Sequence, residues 1–227
     1  MSCHGKTLVA TFGFDIDFVL RRLASREYGS VVLLALKTSE EAYRKVEKAY
    51  SALKIVCESL RISCSLNDLE PEVIARSIPS ILKNIAEKSE RVELFLTGGP
   101  RILVVTTLLS ALLLPKYLAE KINIIVEGEG FECENTINLS KYQELARLDE
   151  RDMRILLELQ ARGPQRLGEL EKHTEIPRST LFRRLEELTA KKLVRKENDK
   201  YLAEEVIKTV CADISVANIS LQINLST

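Results

Sequence analysis

Between Leu167 and Tyr201 the chain reads helix, short turn, helix, then strand, polar turn, strand, an order that few folds accept. The first helix ends at Thr174, Glu-Ile-Pro177 breaks the pattern, and the second runs from Arg178 to Leu188. Two helices joined by a turn of a few residues make a helix-turn-helix. Leu181, Leu185 and Leu188 recur at spacings of four and three, which predicts one buried stripe. That stripe leaves Arg178, Ser179, Thr180, Arg183 and Arg184 at or near the outward N-terminal portion of the second helix. Such helices enter the major groove by that end, where hydroxyls and guanidiniums reach phosphates and base edges. The following Lys191 to Tyr201 is a hairpin whose Asn198-Asp199 tip is flanked by Arg195, Lys196 and Lys200, a wing suited to the phosphate backbone. Residues 149–202 are therefore expected to be a winged helix-turn-helix that binds double-stranded DNA. A single unit reads only a half-site, so a homodimer is expected.

Charge agrees with that placement. The formal net charge is zero, from 33 basic and 33 acidic residues. Residues 150–201 nevertheless hold 13 basic against 10 acidic residues, and residues 1–149 hold 19 against 20. The positive excess sits in the smaller block, the correct sign for a phosphate-binding module. No apolar run reaches the roughly 18 residues that a membrane span needs. The longest, Ile102 to Leu114, contains Thr106, Thr107 and Ser110 and stops at Pro115, which predicts a buried helix. The N-terminus carries a single lysine before a strand-like run and no signal peptide, so a cytoplasmic protein is expected. Cys3, Cys57, Cys64, Cys133 and Cys211 form no CxxC pair, and His4 and His173 are the only histidines. Neither a metal site nor a cofactor is expected, and the cysteines read as scattered buried thiols. A disulfide between some pair is the alternative in a chain from a hyperthermophile.

Strand and helix patterns alternate through the N-terminal part. Lys6 to Phe12 is a β-rich run ending at Gly13, and Asp15 to Ser25 puts Ile16, Val19, Leu20 and Leu23 on one helical face. Ser30 to Leu36 is continuously apolar, as in a parallel strand covered on both sides. Thr38 and Glu41 read as a capping box for a helix running to about Leu60. Arg61 to Leu66 is a third strand, Pro71 opens a helix that ends near Lys88, and Arg91 to Leu96 is a fourth strand. An apolar helix, a fifth strand at Ile122 to Glu127 and a hairpin turn into Phe131 to Leu139 follow. The pattern predicts an α/β, Rossmann-like, doubly wound and mostly parallel sheet, followed by the winged helix. The expected boundaries are a sensing domain at 1–139, a linker helix at 140–148, the winged helix at 149–202 and an extension of unknown role at 203–227.

Ligands of such sheets sit at the carboxyl ends of the strands. Two loops qualify, Thr11-Phe12-Gly13-Phe14-Asp15 after the first strand and Thr97-Gly98-Gly99-Pro100-Arg101 after the fourth. In a 3-2-1-4-5 order the two strands are neighbours and both loops face one crevice. Glycines admit close approach to the backbone, proline presets the first helical turn, helix N–H groups attract anions, and Arg101 adds positive charge. Neither loop is a phosphate-binding Walker loop or a GxGxxG dinucleotide fingerprint.

With Phe18-Val-Leu-Arg21 on the helix between them and a winged helix behind, these loops resemble the archaeal CRISPR-associated transcriptional regulators that carry a CARF sensor domain. The resemblance runs to about residue 202. It implies a CARF dimer that binds a cyclic oligoadenylate, cyclic tetra-adenylate above all, across its two-fold axis. It also implies that Thr11, Gly13, Phe14 and Asp15 line the ligand from one loop, and Thr97, Gly98, Gly99, Pro100 and Arg101 from the other. Pro100 departs from the family's usual residue and removes one backbone N–H. Control of DNA binding is expected to run through Ser140 to Leu148. Two alternatives stay open: a ring nuclease that cleaves cyclic tetra-adenylate, and an N-terminal domain that serves only as a dimerisation scaffold. The loops contain no His or Lys, so no catalytic residue is assigned and the chain is read as a non-enzyme.

Overall fold

The computed structural model describes residues 5–25, 27–127 and 134–204. Its contacts divide the chain into two compact units, Met1–Tyr142 and Gln143–Thr227.

The first unit alternates strand and helix. In order it contains β1 (Lys6–Phe12), α1 (Asp17–Ser25), β2 (Ser30–Leu36), α2 (Glu40–Ser59), β3 (Ser63–Leu69) and α3 (Ile74–Lys88). Then come β4 (Arg91–Phe95), α4 (Arg101–Leu112), the short α5 (Lys116–Ala119), β5 (Ile122–Glu127), β6 (Glu134–Asn138) and the start of α6 (Leu139–Ala146). The strands form one sheet in the order β3-β2-β1-β4-β5-β6, parallel except for the antiparallel β5–β6 pair. Alternation along each strand sends side chains to opposite faces. Leu8, Ala10 and Phe12 join the core shared with α1 and α2, whereas Val9 joins the core shared with α3 and α4. β1 buries side chains on both faces from Thr7 to Phe12, and β2 is apolar from Val31 to Leu36, because both faces of the sheet are covered there.

Four expectations shift. The N-cap of α2 is Ser39 rather than Thr38, and its hydroxyl accepts the Ala42 N–H. β3 begins at Ser63, because Arg61 adopts φ 59° and breaks the extended run there. The helix expected from Pro71 begins at Ile74, after a turn. The helix through Ile102–Leu114 is not buried all round: Leu103, Thr107 and Ala111 face the core, but Ile102, Val105 and Leu109 are each more than half exposed. No described helix is long and apolar enough to cross a membrane.

The second unit has α7 (Glu150–Arg162), β7 (Gln165–Arg166), α8 (Leu167–Thr174), α9 (Arg178–Ala190), β8 (Val194–Glu197) and β9 (Lys200–Ala203). Asp149 caps α7 by accepting the Asp152 N–H, and Gly163 ends it at φ 76°. Glu175, in the left-handed region, ends α8 and turns the chain into α9. Leu156, Leu159, Leu170, Leu181, Leu185 and Leu188 meet in one core. The β8–β9 hairpin turns at Asn198 and Asp199, both at positive φ as a two-residue hairpin turn requires. The stretch 203–227 lies outside the described residues from position 205 onward.

Candidate functional site

The loops after β1 and β4 meet backbone to backbone. A Cβ on Gly98 would stand 2.9 Å from the Thr11 carbonyl oxygen, and one on Gly99 only 3.1 Å from the Phe12 backbone. Gly99 also adopts φ 82°, a conformation that L side chains rarely take. The glycine pair therefore exists to seat one loop on the other, before any ligand is considered. Thr97 fixes the far side by accepting the Glu127 N–H at 2.9 Å. Pro100 is the N-cap of α4, and its carbonyl accepts the Leu103 and Val104 N–H groups.

Above this junction lies a cavity of about 330 Å³. Phe12, Gly13, Phe14, Asp15 and Phe18 form one wall, and Thr97, Gly98, Gly99 and Pro100 form the second. A third wall comes from Leu36, Thr38, Ala42 and Val46, at the end of β2 and the start of α2. Phe14 projects furthest, at 72% exposed. The Asp15 carboxylate accepts the Asp17 N–H at 2.9 Å and so starts α1. Two expected residues are placed differently. Thr11 is 1% exposed, sits on the Val9 side of the sheet and does not line the cavity, because strand alternation turns it away from Phe12. Arg101 is exposed on the first turn of α4, outside the cavity lining.

Under the α1 wall sits a buried charge cluster. Arg22, 2% exposed, donates to Glu134 at 2.7 Å and Glu93 at 3.3 Å and lies 3.6 Å from Glu127. Lys6 and the Tyr28 hydroxyl also reach Glu93. Burial pushes the Glu93 carboxyl upward, but the bonds from Lys6 and Tyr28 and the nearby cations outweigh it and hold it below the usual range. Burial and the bond to Glu93 push the Tyr28 hydroxyl well above its ordinary value. The cluster ties α1, which begins at the pocket loop, to β4 and to the facing ends of β5 and β6.

In the second unit the outer surface of α9 carries the expected cations, with one exception. Arg178 and Arg183 are about two-thirds exposed, each near a single carboxylate, Glu171 at 3.6 Å and Glu187 at 4.0 Å. Ser179 is exposed and Thr180 half-buried. Arg184 turns inward, contrary to the outward placement expected for it: it donates to Asp152 at 2.6 Å and bonds Asp149 at 2.7 Å. It therefore pins α9 to the cap of α7. The bond from the Asp152 N–H, and then Arg184, hold the Asp149 carboxyl below its ordinary range. Arg195, Lys196 and Lys200 are exposed on the hairpin, where Arg195 lies 3.4 Å from Glu197 and Lys196 lies 3.8 Å from Asp199.

Residues 6–138 match the family described as the Csa3 CRISPR-associated Rossmann-like domain, more than half of the chain. The chain belongs to the Csa3 family. Behind the Csa3 domain, residues 148–200 match the MarR family, which makes the second unit a MarR-type winged helix. No curated protein matches the sequence significantly. Can2 from Sulfobacillus thermosulfidooxidans, solved in complex with cyclic tetra-adenylate, is 14% identical over 97% of this chain and 68% of its own, with a TM-score of 0.42. Enterococcus italicus Csm6, bound to cyclic hexa-2'-fluoro-hexa-dAMP, is 13% identical over 83% of this chain and 55% of its own, with a TM-score of 0.46. The chain thus spans little more than half of that Csm6.

The third wall of the Csa3 pocket is what the sequence reading missed. Its signal was available: β2 neighbours β1 in the sheet, and Phe12 pairs with Ala35, so the loop after β2 must share the crevice with the loop after β1.

Proposed function

We propose that the chain is a ligand-controlled transcription regulator of CRISPR-associated genes that works in the cytoplasm as a homodimer. In this reading the Csa3 domain binds a cyclic oligoadenylate, with cyclic tetra-adenylate as the favoured ring, and the MarR-type winged helix binds promoter DNA. The pocket carries the reading. Phe14 and Phe18, beside the buried Phe12, offer apolar faces to nucleobases, whereas the glycine loop and the N-terminus of α4 offer partial positive charge to phosphates. Arg101 adds a full cation at that end.

A cyclic tetranucleotide has two-fold symmetry and four negative charges, so two copies related by a two-fold axis suit it. The apolar stripe Ile102, Val105 and Leu109 begins one residue past Arg101 and supports pairing of two Csa3 domains along α4. The ligand controls DNA binding only if it favours one arrangement of the dimer over another, and α6 is the segment that transmits the choice. Binding proceeds without cleavage in this proposal: among the described residues lining the pocket the polar side chains are Asp15, Thr38 and Thr97, and none is His or Lys.

Calorimetric titration of the full chain with cyclic tetra-adenylate, beside Arg101→Ala, tests the proposal. The expected result is one ligand per two chains, weakened in the variant and recovered uncut. No heat and no rise in melting temperature would overturn the ligand assignment, and cut ligand would overturn the non-enzymatic part.

A further inference from the structure

The recognition surface of α9 holds one residue that neither packing nor phosphate binding uses. Phe182 is 48% exposed, the one large exposed apolar side chain among the described residues of the second unit. The core does not need it, since Leu181, Leu185 and Leu188 already fill that side of the helix and are 1% exposed or less. It is the fifth residue of α9, one turn after Arg178 and Ser179 and beside Arg183. The ring thus stands within the portion of the helix that enters a major groove, with cations on both sides of it in sequence.

We propose that Phe182 reads thymine, its ring lying against the 5-methyl group of a T·A pair. Thymine is the base with an apolar group on the major-groove edge, and a phenylalanine ring can remove that methyl from water without competing for a hydrogen bond. The proposal rests on the DNA-binding reading of the second unit and adds base specificity to it. A protein partner is the less favoured occupant: a single exposed ring, with Arg178 one turn before it and Arg183 next to it in sequence, is far smaller than the contiguous apolar patch that a protein interface uses.

The test uses the full chain. A randomised duplex pool is selected against the wild-type protein, and each thymine of the enriched duplex is then replaced by deoxyuridine, which removes only the methyl group. One position in each half-site is expected to lose roughly four-fold in affinity, the worth of a methyl removed from water. Phe182→Ala is expected to lose that sensitivity while keeping its melting temperature, and Phe182→Leu to retain part of it. Equal deoxyuridine sensitivity in wild type and Phe182→Ala, or none anywhere, overturns the assignment while leaving DNA binding intact. A change in oligomeric mass in Phe182→Ala with unchanged methyl dependence overturns it in favour of a protein contact. Absence of any enriched duplex overturns both this assignment and the DNA-binding reading beneath it.

Discussion

In the Csa3 pocket the decisive contacts are between backbones and below the surface. Gly98 and Gly99 rest on Thr11 and Phe12, and Arg22 is buried beneath α1 at the centre of its carboxylates. On α9 the decisive groups are side chains held out in solvent, each beside at most a weakly paired carboxylate. The difference predicts different tolerances. Substitution in the first region should break the fold and the site together, whereas substitution on α9 should separate binding from stability. Arg183 and Arg184 show the same contrast between adjacent residues, one out and one in.

The largest effect is expected at Arg22. Arg22→Met removes the cation shared by Glu93, Glu127 and Glu134; because Glu93 keeps Lys6 and Tyr28 and Glu134 is partly exposed, the cost is expected at the low end of that for breaking a buried pair, about 3 kcal/mol. Urea or thermal unfolding measures it, and a loss below about 1 kcal/mol would show that the cluster does not hold the unit together. Gly99→Ala should cost about 2 kcal/mol through its positive φ and its contact with Phe12, and should also weaken any ligand of the pocket. Full stability with weakened ligand binding would break the claim that this glycine serves both.

The adjacent arginines of α9 should respond in opposite ways. Arg184→Ala should destabilise the second unit by about 2 kcal/mol, because Asp152 loses its bonded cation. Arg183→Ala should change stability by less than about 0.5 kcal/mol while lowering the slope of log affinity for duplex against log salt by about 1. The reverse pattern would mean that the two side chains are assigned to the wrong tasks.

The smallest effect is on pH dependence. Glu93 and Asp149 both sit below the ordinary carboxyl range. A depressed carboxyl stabilises the fold above its unfolded pKa, near 4, and that stabilisation is lost as the pH falls through the folded value. Melting temperature should therefore fall on acidification below about pH 4 and show no matching loss from these groups above neutrality. Asp149→Asn should flatten the acid limb slightly, since its carboxylate is more than half exposed.

What could be read from sequence follows the same division between local and distant causes. β1, β2 and β5 were legible to the residue because they are rich in β-branched and apolar residues and their ends are marked by Gly13, Lys37 and the glycines near 128. The edge strand β3, with Ser63, Ser65, Asn67 and Asp68 among its residues, carries too weak an apolar pattern to fix its start. The strand order put the loops after β1 and β4 together, and Asp149 and Gly163 marked both ends of α7. The inward turn of Arg184 was not legible, because its partners lie 32 and 35 residues upstream and come beside it only when α7 packs on α9. The exposed stripe on α4 is not legible because apolar residues occur on every face of the helix, while its polar Thr107 and Ser110 lie on the buried side. The Glu127-Gly-Glu-Gly130 turn and the start of the expected Phe131–Leu139 strand lie outside the described residues.

Coupling between the two units is tested by measuring duplex affinity of the full chain across a titration of cyclic tetra-adenylate. Saturating ligand is expected to change that affinity at least five-fold, the lower end of typical coupling between two sites. An affinity that stays constant at every ligand concentration, with ligand demonstrably bound, would contradict it.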